Sequence, residues 1–130
     1  MGMDQTVVFA PDRLPPWPRV AELLAGVKHP VQMRMIDGQL AFPDEEPPAS
    51  WRELRVGTAA GMVSLRREVD GVSLVVWGNA ERPLRETWNT LAWALAELTG
   101  GRVRTPQGEL DAAQFRAAAE LPASLTGGKA

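Results

Sequence analysis

An α+β fold with an antiparallel-rich sheet is what this sequence predicts, and three observations predict it. Two Asp-Gly dipeptides, Asp37-Gly38 and Asp70-Gly71, sit between β-rich apolar segments, the pattern of two-residue hairpins. Two stretches, one after Pro18 and one after Pro83, repeat apolar residues at helical spacing. The resulting order is strand, helix, hairpin, hairpin, helix, strand, helix. Its two βαβ-like connections each require a right-handed crossover, which puts both helices on one face of the sheet. The expectation is therefore a two-layer α/β sandwich of the split-βαβ, ferredoxin-like kind, with five or six strands, two helices on one face and a short C-terminal helix.

Thr6 to Phe9 is apolar and β-rich, and Pro11 ends it, so it reads as the first strand. Val20, Leu23, Leu24 and Val27 then form an i, i+3, i+4, i+7 face, with Pro18 in the first turn, where a missing N–H costs nothing. Pro30 pushes His29 out of the helical region and closes the helix. Around Asp37-Gly38, Met35 should oppose Leu40, and Met33 should oppose Phe42. Around Asp70-Gly71, Val69 should oppose Val72, Arg67 Leu74, and Leu65 Val76. Pro43 to Pro48 is a loop by composition, and Leu54 to Thr58 a further short strand.

From Pro83 to Thr99 the residues Leu84, Trp88, Leu91, Leu95 and Leu98 make one buried stripe, ended by Gly100-Gly101. Trp93 points about 180° away from the centre of that stripe. After Val103 heads a short strand, Thr105 to Gly108 reads as a turn. Asp111 can cap the last helix with Gln114 reaching back, and Leu110 and Phe115 occupy the staple positions. The domain is expected to run over 1–122, followed by a flexible tail over 123–130.

The composition excludes several chemistries. With 130 residues, 45 % hydrophobic and 23 % charged, the chain suffices for one domain with a buried core. A net charge of −2 without a basic stripe argues against nucleic acid and anionic membranes, and no run is long enough to span a bilayer. The absence of cysteine removes thiol chemistry and Cys-ligated zinc. The lone His29 lacks an orienting acid nearby in sequence, and no serine sits in a nucleophile elbow. Gly57 to Gly61 lacks the Lys-Ser or Lys-Thr and the following helix of a phosphate loop. Neither a cofactor nor a metal is called for. A cytoplasmic protein of a GC-rich bacterial genome fits the composition.

What remains is surface. On the second hairpin Trp77, Val75 and Arg66 share the face away from the helices, beside Met62, a face left for the third helix or the Pro43–Pro48 loop to cross, for a dimer to pair, or for a partner to meet. Trp93, flanked on its outer face by Glu86, Asn89 and Glu97, is either covered by the Phe115 helix or offered as a second exposed aromatic on the long helix. The run Asp44-Glu45-Glu46, penned by prolines, can present negative charge to a basic partner. Trp, Met and Arg are the types enriched where proteins meet proteins. The leading expectation is a non-catalytic protein-binding module: an adaptor, a regulator or an immunity-like neutralising protein that meets a protein partner or self-associates. The alternative is a small-ligand-binding regulatory domain acting as a homodimer, with a pocket near Gly57 to Gly61 or at the seam. An enzyme built on carboxylates such as Asp44, Glu45 or Glu53 ranks third.

Overall fold

A computed structural model describes residues 2–126. It is a mixed α+β structure with one eight-stranded antiparallel sheet and four helices. The strands are β1 (Gly2–Val8), β2 (Gln32–Ile36), β3 (Gln39–Leu40), β4 (Glu53–Thr58), β5 (Gly61–Glu68), β6 (Gly71–Trp77), β7 (Arg102–Thr105) and β8 (Gly108–Asp111). The helices are α1 (Trp17–Gly26), α2 (Arg82–Thr99), α3 (Ala112–Ala118) and α4 (Ala123–Thr126). The sheet order is β3-β2-β4-β5-β6-β1-β7-β8. A sheet of five or six strands therefore understates the molecule. The difference lies at the edges, in a two-residue β3 and in β8, whose Gly-Glu-Leu-Asp carries almost no β propensity. β1 lies between β6 and β7 and is antiparallel to both, so β6-α2-β7 is a split βαβ unit.

Alternation places Val7, Val56, Val63, Leu65, Val72, Leu74 and Val103 on one face, all fully buried. α2 lies against this face, α1 and α3 pack on α2, and α4 packs on α3. The Pro43–Pro48 loop turns toward the same side, where its buried Pro47 shares a small cavity with Trp17 and Trp51. Residues expected at the start of a frayed tail instead form α4, with Leu125 1 % exposed in the core. Residues 127–130, the rest of that tail, lie outside the described residues.

Local turn chemistry decides the two hairpins differently. Asp37 (φ 49°) and Gly38 (φ 83°) both take left-handed conformations, as a type I′ turn requires, and Met35 does oppose Leu40. Met33 and Phe42 do not pair on the same face. A register shift between Met33 and Met35 sends Met33 into the core and leaves Phe42 exposed. In the second hairpin the turn is Val69-Asp70, neither residue having positive φ, and Leu65 opposes Leu74 rather than Val76. Val69 is consequently 90 % exposed instead of buried. Gly71 serves another purpose: a Cβ there would lie 1.9 Å from the Val7 carbonyl oxygen, so only glycine lets β1 close on β6.

Candidate functional site

The helices cover one face of the sheet, and among the described residues no helix covers the other. Successive pairs line up residues across the uncovered face in rows. One row runs Asp4, Val75, Ser64, Arg55, Met35, Leu40 from β1 to β3. The next carries Arg104, Thr6, Ser73, Arg66 and Glu53. Trp77 and Met62 stand at the adjoining ends of β6 and β5, 71 % and 47 % exposed. Gly2, Arg55, Met62, Ser64, Arg66, Val75 and Trp77 surround a shallow depression of about 280 Å³. Three residues singled out from sequence, Trp77, Val75 and Arg66, thus converge on one site. Arg55 and Met62 complete it.

Charged and polar side chains on the face pair with one another. Arg66 Nε donates to Glu53 Oε2 at 2.9 Å, and Arg104 Nε to Glu109 Oε2 at 3.2 Å. Thr6 and Ser73 share a hydroxyl hydrogen bond of 2.9 Å. Exposed pairs of this kind contribute about 0–1 kcal/mol each, so their main effect is to fix side-chain positions. Arg55 and Asp4 have no ion-pair partner among the described residues.

Of the two readings of Trp93, cover within the chain is the one the structure has. Trp93 is 4 % exposed, with α3 packed on its helix and the Arg116 guanidinium 5.4 Å from its ring centroid. Asn89 is buried as well. Its Oδ1 accepts from Gln5 Nε2 at 3.0 Å, and its Nδ2 donates to the Glu120 carbonyl at 3.0 Å. α2 therefore packs on the sheet and on α1 and α3, with Arg82, Pro83 and Glu97 left exposed, which a single apolar stripe does not reveal.

Asp44, Glu45 and Glu46 are exposed, and Glu45 accepts the Phe42 N–H at 3.1 Å, bracing its own loop. No group of three potential metal ligands occurs among the described residues. Gly57 to Gly61 forms the tight β4–β5 turn. His29, just past the end of α1, is half-buried and lies 2.9 Å from Thr87 Oγ1. Thr87 Oγ1 also lies 3.2 Å from the Pro83 carbonyl, which ties the imidazole through the hydroxyl to the first turn of α2. Burial lowers the His29 pKa, opposed in part by the carboxylate of Glu86. Sequence alone offered no sign of this pairing, because the two residues lie 58 positions apart. No helix of the described chain is long and apolar enough to cross a membrane. No protein-family model matches the chain, and neither a curated protein nor a solved structure matches it.

Proposed function

We propose that this chain is a non-catalytic protein-binding module, a cytoplasmic adaptor, regulator or neutralising protein, whose contact surface is the open sheet face centred on Trp77. One observation carries the reading: a tryptophan 71 % exposed, on a rigid strand, beside Met62, Val75 and two arginines. Such a ring gains free energy only when something covers it, and a strand holds it at little entropic cost. Aromatic and arginine anchors around a shallow pocket are the usual centre of a binding surface. The fold reading that goes with this proposal takes β5-β6-β1-β7, joined through α1 and α2, as a ferredoxin-like kernel extended by the β2–β4 strands.

Trp77→Ala tests the proposal. The variant should keep the far-ultraviolet spectrum and melting temperature of the parent, because the ring supports no core. It should lose the red-shifted, acrylamide-accessible part of the tryptophan emission, together with whatever protein the parent retains on an affinity column, including copies of itself. Retention of the same proteins in the same yield would overturn the assignment of this face.

A further inference from the structure

We infer that the open sheet face pairs with the same face of a second copy of the chain, around a two-fold axis that runs parallel to the strands between β5 and β6. The inference rests on the reading of this face as a protein-binding surface and names its partner. Its warrant is the arrangement of residues along the rows. A two-fold axis there lays β5 over the partner's β6 and β4 over the partner's β1, leaving each row facing itself.

In the row Asp4, Val75, Ser64, Arg55, the acid and the base stand at equal distances from that axis, two strands to either side. Superposed on its own copy, each Asp4 meets an Arg55 and each Arg55 an Asp4, giving two reciprocal ion pairs. Within one chain the two backbones are roughly 14 Å apart, three strand spacings, and neither side chain has an ion-pair partner among the described residues. The same operation lays Trp77 on Met62 of the second copy, and Met62 on its Trp77, covering the two most exposed apolar groups of the depression. Arg66 and Glu53 are already satisfied within the chain, so they meet Ser73 and Thr6 without stranding a charge. The extent is adequate too. The central six strands span about 24 Å by about 20 Å, so two apposed copies cover on the order of 1,000 Å², the threshold for a specific interface.

Charge reversal separates this arrangement from any other. Sedimentation velocity of the whole chain should show a concentration-dependent dimer. Asp4→Arg alone, and Arg55→Asp alone, should each weaken it at least about tenfold, since each variant places like charges together at both ends of the seam. Asp4→Arg with Arg55→Asp in one chain should restore the dimer. An equimolar mixture of the two single variants should form a heterodimer that neither forms alone. Both positions are on the surface, and a circular dichroism spectrum matching the parent's establishes that each variant is folded. A dimer of unchanged strength in every variant overturns the inference. A parent that stays monomeric to millimolar concentration also overturns it. In that event, proteins retained by the parent and lost by Trp77→Ala would leave the binding reading standing, and their absence would remove both.

Discussion

Trp93 and Trp77 differ by burial rather than by chemistry, and the contrast shows what each layer of the molecule does. Both rings lie off the buried stripe or face of their own element, one on α2 and one on β6. Trp93 is covered because the chain continues past β8 into α3, whose Arg116 guanidinium lies over the ring, and Phe115, Leu121 and Leu125 of this C-terminal stretch join the same buried core. No described segment returns across the other side of the sheet. The same residue type is therefore structural in one layer and available in the other.

Truncating the two rings should sharpen that contrast more than any other change. Trp93→Ala removes a large side chain from a closed site and should cost about 3–5 kcal/mol, with a melting temperature lower by tens of degrees or no folded protein at all. Trp77→Ala should stay within about 0.5 kcal/mol of the parent by urea denaturation. Comparable losses from both would mean that Trp77 is core, and the difference between the layers would vanish. The next effect in size is that of Asn89→Ala. It leaves Gln5 Nε2 and the Glu120 carbonyl without their partners in a buried setting, at a cost of about 1–3 kcal/mol. A neutral result in the same denaturation series would return Asn89 to the list of solvent-facing residues.

What was legible in the sequence was local. The capping box of α3 forms as expected, Gln114 N–H to Asp111 Oδ1 at 2.8 Å and Asp111 N–H to Gln114 Oε1 at 2.9 Å, because all its partners lie within three residues. The Asp37-Gly38 turn and the placement of Trp77, Val75 and Arg66 on one face follow from equally short-range rules, turn dihedrals and strand alternation. Three features depended on contacts distant in sequence and were not legible. The register of the second hairpin turns on Gly71 meeting the Val7 backbone, not on the Asp-Gly dipeptide. The Phe115 helix is a candidate cover for Trp93, but the choice between cover and exposure is not legible, because helical periodicity reports one apolar face without counting the layers around it. β8 exists because β7 supplies a ladder for residues that would not extend alone. Of the candidate site, Trp77, Val75 and Arg66 could be read directly. Arg55 could not, since its face follows only once β4 is paired to β5.

The smallest expected effect tests whether the helical layer is as closed around His29 as it is around Trp93. Folding lowers the pKa of this imidazole from its ordinary 6.5, chiefly by burial, while Glu86 pulls the other way. The folded chain then binds the proton less readily than the unfolded chain does, so acidification favours unfolding. The contribution is intact above about pH 6.5 and is lost as the pH falls from there toward the lower folded pKa. His29→Gln should flatten the pH dependence of the urea midpoint across that interval, while the parent declines through it. Because His29 is the only histidine, its ring protons give a single nuclear magnetic resonance titration that reads the folded pKa directly. A midpoint at or above 6.5 would show that the ring is solvated, and that α1 and α2 close around the Thr87 hydroxyl less tightly than the 2.9 Å contact requires.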